Sequence, residues 1–326
     1  MVPTIFDRYR IDAYRLPQVE NVHAHSSDIA SIAVRVAAAT YAFTSSIDPA
    51  AKRATEGERG IPFRSLKRYL DSGEGSSERD WYGPEGGRDS FVISVSGGAA
   101  YGVLLQDLIF VGFRGTTNVA DWSINLFGLG RSGPLKCPLE TEFYTQKLHY
   151  FSAPIQNANA RVHTGFYRVS QALRPPLHDE INKLRQKYHE RTNEDYPRVI
   201  LTGHSLGGAL ALLSGLRIDH HAVYTFGMPR VCEGDLVPEL PPCHYRYELE
   251  GDPIPKMPPE SLGFRHDMPS LCLDPYRGHK KPGLIAKAIR GFKEGATLSG
   301  SVGAAAKAIL AAEHDMEVYV ETVMAQ

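Results

Sequence analysis

The chain has 326 residues, of which 42% are hydrophobic and 22% charged, with a formal net charge of −1. That is enough apolar material for the core of a single large α/β domain spanning 1–326, and the near-neutral charge argues against a nucleic-acid binder working through a general positive field. The four cysteines (Cys137, Cys232, Cys243, Cys272) show no CxxC pairing, so zinc ribbons and redox motifs are not expected; one or two disulfides stay open.

The N-terminus, MVPTIFDRYRIDAYRLP, is charged throughout and lacks the apolar h-region of a signal peptide. Export after processing or by a signal-less route stays open beside a cytoplasmic location. Residues 1–27 read as an extended arm. IASIAVRVAAATYAF (29–43) has apolar residues at helical spacing and is predicted as a helix. The glycine-rich, polar run 53–90 is predicted as loop. FVISVS (91–96), YGVLLQ (101–106) and LIFVGFR (108–114) are predicted strands, with turns at GGAA and at Asp107. After Gly165 a helix is expected to about His189, interrupted at Pro175-Pro176, with Leu177, Ile181, Leu184 and Tyr188 on one face. RVILT (198–202) is a short buried strand, followed by a helix whose stripe is Leu206, Ala209, Leu210, Leu213 and Leu216. AVYTFG (222–227) and HYRYELE (244–250) are two further strands. This alternation predicts an α/β fold: a mostly parallel central sheet with helices on both faces. The alanine- and lysine-rich tail, 277–326, is expected to be mostly helical. No uninterrupted apolar run reaches about 18 residues, the length a membrane span needs.

TGHSLGGALALL (202–213) places Ser205 in a G-x-S-x-G between a buried strand and an apolar helix. On such a turn a serine hydroxyl projects above the sheet rim, and a Cβ at either glycine would collide across the turn. The following helix aims its N-terminal N–H groups at a developing oxyanion, with Leu206 N–H as one donor. Ser205 is therefore the candidate nucleophile. His204 adjoins it, but on so tight a turn its ring is expected to point away from the hydroxyl.

Four further stretches carry a resemblance. VGFRGTTNVADWSINL (111–126), VHTGFYRV (162–169), TFGMPRV (225–231) and EGDPIPKMPP (250–259) are similar, in order, to segments of the class 3, fungal-type triacylglycerol lipases. The resemblance spans about 91–326 and covers the first 90 residues only loosely. It implies an α/β-hydrolase fold and hydrolysis of carboxylic esters of lipids. It also places the triad acid at Asp252, which suits a loop stiffened by Pro253 and Pro255. The second oxyanion donor falls on Thr116, with Thr117 as the alternative.

Two histidines can complete the triad. His266 lies fourteen residues beyond Asp252, and His314 lies near the C-terminus; both precede Asp-Met. His314 is favoured, because in this fold the histidine follows the last strand, because 316–323 reads as a closing helix, and because the segment resembles the family's terminal histidine motif. His266 then reads as structural, as does His163. His23/His25 and His220/His221 read as surface residues rather than metal ligands.

The resulting expectation is an acyl-enzyme mechanism on an acylglycerol ester, with no cofactor, no metal and no obligate protein partner. TTNVADWSINLFGLG (116–130) occupies the place of the family's lid, and its mix of apolar and polar residues suits an interfacial cover. PYRGHKKPGLIAKAIRGFK (275–293) is basic and amphipathic; it suits transient contact with an anionic lipid surface, or simply a solvated helix with one core face. A phospholipase A1, a feruloyl-type esterase, and a catalytically inactive lipase-like binding protein remain as rivals. Acyl-chain length, regiospecificity and oligomeric state are not legible.

Overall fold

The computed structural model describes residues 24–45, 89–95, 97–115, 136–138, 161–194, 196–233, 243–277 and 314–326. In chain order the elements begin with helix α1 (Ser27–Ser45) and strands β1 (Ser90–Val95), β2 (Gly98–Leu105), β3 (Leu108–Phe113), β4 (Lys136–Pro138) and β5 (Arg161–His163). Helix α2 (Thr164–Thr192), β6 (Arg198–His204), helix α3 (Leu206–Gly215), β7 (Ala222–Phe226) and β8 (Cys232–Glu233) follow. The last elements are β9 (His244–Leu249), β10 (Phe264–Arg265), β11 (Ser270–Leu273) and helix α4 (Met316–Met324).

Among the described residues, seven strands form a central sheet in the order β1-β2-β3-β6-β7-β9-β11. The first three pair antiparallel, and every later neighbour pairs parallel. A smaller antiparallel sheet runs β10-β8-β5-β4. The expected mostly parallel sheet with helices on both faces is therefore present.

Side-chain alternation sorts the sheet residues between two cores. Leu108, Phe110, Ile200, Tyr224 and Tyr247 face α1 and α4. Ile109, Val111, Val199, Leu201 and Val223 face α2 and α3. Small residues let α1 lie close: a Cβ at Gly112 would stand 3.0 Å from the Val36 carbonyl oxygen. Thr202, on the α1 face, donates its hydroxyl to the Ala33 carbonyl at 3.1 Å, so a buried polar group in mid-strand is satisfied.

Three expectations are corrected. Helix α2 continues through Pro175 and Pro176 without a break. Pro175 is exposed and Pro176 half-buried, while Leu173 and Leu177 on either side are buried; core packing holds the axis where the prolines remove backbone donors. Strand β2 starts at Gly98 instead of Tyr101. The GGAA run looked like a turn because its residues are small, but small residues are what the packing demands: a Cβ at Gly98 would lie 2.4 Å from Val169 Cγ1. His220 and His221 are buried, not surface residues. His220 Nδ1 bonds the Ile218 carbonyl at 2.7 Å within the α3–β7 connection, and His221 Nδ1 accepts the Val199 N–H at 3.1 Å, tying that connection to the sheet.

Most of the predicted N-terminal arm, loop 53–90, the lid segment 116–130 and most of 275–293 lie outside the described residues, as does the tail before His314. No helix among the described residues is long and apolar enough to cross a membrane.

Candidate active site

Strand β6 ends at His204 and α3 begins at Leu206, so the chain reverses at Ser205. Ser205 has φ 58° and ψ −128°, a conformation costly for any residue with a side chain. The flanking glycines allow it. A Cβ at Gly203 would lie 2.3 Å from the Gly207 main chain, and one at Gly207 would lie 2.0 Å from the Phe113 carbonyl oxygen. The turn is pinned to the sheet through Ser205 N–H to the Phe226 carbonyl, 2.9 Å. The Ser205 carbonyl accepts from Gly208 and Ala209. Leu206 N–H sits in the first turn, where an α-helix supplies no acceptor of its own, and it makes no loop or cap hydrogen bond among the described residues.

Asp252 follows β9 and is buried. Its Oδ1 accepts Ile254 N–H at 2.9 Å. Its Oδ2 accepts two further bonds, from His314 Nδ1 at 2.7 Å and from the Tyr319 hydroxyl at 2.6 Å. Three donors onto one carboxylate fix its orientation. Tyr319 comes from α4 and also accepts Leu249 N–H at 3.1 Å, tying the helix to the end of β9. Burial and then the adjacent Asp252 charge push the Tyr319 hydroxyl far above its ordinary range, so it stays a proton donor. Helix α4 starts with Asp315 as its N-cap, accepting from Glu317 N–H at 2.8 Å, which fixes His314 at the residue just before the cap.

Gly227, directly after β7, is the meeting point. It has φ +58°, and a Cβ there would lie 2.8 Å from His314 Cε1, 2.9 Å from the Tyr319 hydroxyl and 3.0 Å from Asp252 Oδ2. Its neighbour Phe226 holds the Ser205 amide. Ser205, Asp252 and His314 thus gather at the carboxyl ends of β6, β7 and β9. Asp252 and His314 are in contact. Ser205 Oγ and His314 Nε2 are both buried and make no hydrogen bond among the described residues.

His266 does not reach Asp252. Its Nε2 bonds the Pro255 carbonyl at 2.7 Å, bracing the loop beyond Asp252, and burial followed by the Arg246 charge lowers it to about 3. His163 stacks on Phe166 at 4.0 Å. His204 makes no bond to Ser205; its ring instead stacks on that of His314, centroids 4.5 Å apart. Thr116 and Thr117 lie outside the described residues.

Sequence reasoning missed Tyr319 and His204. Tyr319 lies in the stretch 316–323, legible only as a closing helix, and a hydroxyl's partner has no periodic signature. No group of three or more His, Cys, Asp or Glu among the described residues is arranged to hold a metal ion.

The model of the lipase (class 3) family matches residues 110–262. The chain is 33% identical over 139 residues to Lipase A of Sodiomyces alcalophilus, covering 39% of this chain and 30% of that protein. It is 28% identical over 133 residues to the secreted mono- and diacylglycerol lipase LIP4 of Malassezia restricta, covering 38% and 42%. The chain therefore spans less than half the length of these curated relatives. Similar solved structures include the native Rhizomucor miehei lipase propeptide complex, with 18% identity, 77% and 70% coverage of the two chains and a TM-score of 0.47. The mono- and diacylglycerol lipase from Aspergillus oryzae gives 19% identity, 76% and 79% coverage and a TM-score of 0.47.

Proposed function

We propose that this chain is a single-domain α/β-hydrolase of the class 3 lipase family, whose model matches residues 110–262, and that it cleaves carboxylic ester bonds of acylglycerol lipids through Ser205, His314 and Asp252. The observation that carries the proposal is the pairing at the sheet rim. A histidine is held on one nitrogen by a buried carboxylate; its other nitrogen makes no hydrogen bond among the described residues, and it packs at Gly227, next to the Phe226 carbonyl that holds a serine on a strained turn.

In this mechanism His314 Nε2 accepts the Ser205 proton as Oγ attacks the ester carbonyl. Asp252 holds the Nδ1–H tautomer and stabilises the imidazolium. The oxyanion rests on Leu206 N–H and on Thr116, the residue just past Gly115 at the end of the β3 loop. The alcohol leaves with the proton from His314. Water then attacks the acyl-enzyme with His314 as base and releases the fatty acid. Neither step needs a metal or an organic cofactor. By its resemblance to the family's lid segment, 116–130 is proposed as the interfacial cover, with a lipid interface as transient partner.

The name of one relative, the secreted mono- and diacylglycerol lipase LIP4, favours acylglycerols over phospholipids and feruloyl esters. The test is hydrolysis of a p-nitrophenyl ester series beside tributyrin, a monoacylglycerol and a phospholipid. Acylglycerol turnover that Ser205→Ala abolishes supports the proposal. Turnover confined to phospholipid, or surviving in Ser205→Ala, contradicts it.

A further inference from the structure

The His314 ring has two faces, and one is covered by another imidazole. His204, the last residue of β6, stacks on it with centroids 4.5 Å apart and planes inclined by 27°. Both side chains are buried. His204 is itself anchored: its Nδ1 lies 3.0 Å from the hydroxyl of Tyr41 on α1. Tyr41 in turn touches the end of the β3 loop. A Cβ at Gly115 would stand 2.0 Å from the Tyr41 hydroxyl and 2.6 Å from the His204 carbonyl oxygen. The Gly115 N–H donates to that hydroxyl, so the tyrosine proton is directed at His204 Nδ1. One contact path therefore runs from Gly115, next to the proposed oxyanion residue Thr116, through Tyr41 and His204 to His314.

We infer that His204 and Tyr41 are positioning residues, which fix the plane of the His314 ring and the Gly115 end of the oxyanion loop against one another. The inference rests on the triad proposed above. A ring held at one edge by Asp252 can still tilt about that hydrogen bond; a flat neighbour on one face removes the tilt and keeps Nε2 directed along the rim. The neighbour must also be uncharged, or it would oppose the imidazolium that forms on His314. Burial and the adjoining His314 ring hold His204 well below the ordinary histidine range, outweighing a smaller opposing contribution from the His314 main chain. The Tyr41 hydroxyl, raised above its usual range chiefly by burial, stays protonated and keeps donating.

The test uses the full chain and steady-state kinetics on a soluble ester, with thermal unfolding as the folding control. His204→Ala is expected to lower kcat by about 10²-fold with KM unchanged, the scale of a misplaced catalytic group. Tyr41→Phe is expected to lower kcat by about tenfold, equivalent to one buried hydrogen bond. His204→Phe keeps the flat face and loses only the bond to Tyr41, so it recovers to the Tyr41→Phe level. Combining the two phenylalanines adds no further loss, because the tyrosine acts through the histidine. Three results would overturn the inference: kcat within about twofold of wild type in all variants, a loss carried by KM, or losses that multiply in the double variant. Labelling of Ser205 by a fluorophosphonate separates this inference from the triad. If wild-type Ser205 is not labelled, both fall. If it is labelled and the variants label at the same rate, only the positioning role falls.

Discussion

Among the described residues two histidine–aspartate pairs are buried, and they end differently. At the sheet rim His314 Nδ1 meets Asp252 at 2.7 Å, both side chains fully buried. Below it His244 Nδ1 meets Asp267 at 2.5 Å, with side-chain exposures of 0% and 2%. The second pair even has a hydroxyl beyond it, since His244 Nε2 lies 2.8 Å from Thr225 Oγ1. In this second pair carboxylate, imidazole and alcohol are thus lined up. Thr225, however, sits inside β7, and its hydroxyl already has its partner. Ser205 sits on a strained turn, and neither its hydroxyl nor His314 Nε2 is bonded among the described residues. A His–Asp pair by itself is therefore a structural device. In our proposal the difference lies in the third member, which must be unsatisfied, strained and placed where a carbonyl can reach it.

Breaking each carboxylate in turn separates the two roles most sharply. Asp252→Asn should cost about 10⁴-fold in kcat through the wrong histidine tautomer, measured on a soluble ester. Asp267→Asn should leave kcat in place and lower stability by about 2 kcal/mol, the scale of a buried hydrogen bond to a charged group, measured by denaturant unfolding. Equal kinetic losses in both would erase the distinction.

The same contrast has a pH signature. Burial opposes ionisation of Asp267, but His244 and Arg246 outweigh it and hold its carboxyl below the ordinary carboxylate range. The folded state thus binds fewer protons there than the unfolded state. The pair's contribution is present above the ordinary carboxylate pKa of about 4 and is lost as pH falls through the lower folded value. The stability gap between wild type and Asp267→Asn should be wide at pH 7 and shrink below about pH 4. A gap that widened on acidification would contradict the assignment.

Smaller effects sharpen the comparison. Tyr319→Phe removes one of three bonds to Asp252 and should lower kcat by about tenfold, the scale of a hydrogen bond to a charged group. Thr225→Val removes the hydroxyl from the second pair and should cost about 1–2 kcal/mol of stability with kcat unchanged.

The sequence made these features legible to different degrees. Ser205 was readable because its requirement is local: strand, two glycines and helix lie within a dozen residues. Asp252 and His314, 62 residues apart, came from resemblance to a family, since no periodicity links a loop acid to a distant histidine. The second pair went unread, because His244 and Asp267 are 23 residues apart on a strand and a loop with no motif. The adjoining β4, β5, β8 and β10 are two or three residues long, too short to show alternation. His204 was correctly set aside as the base, but its stack on His314 depends on where α4 starts, which only the tertiary fold determines.

Covalent trapping addresses the central claim most directly. The intact chain is treated with a fluorophosphonate, digested and mapped by mass spectrometry. The account predicts one adduct, on Ser205, with Thr225 unmodified and no labelling of Ser205→Ala. A folded wild-type chain that stays unlabelled at Ser205, or that carries its adduct elsewhere while hydrolysing ester, would contradict it.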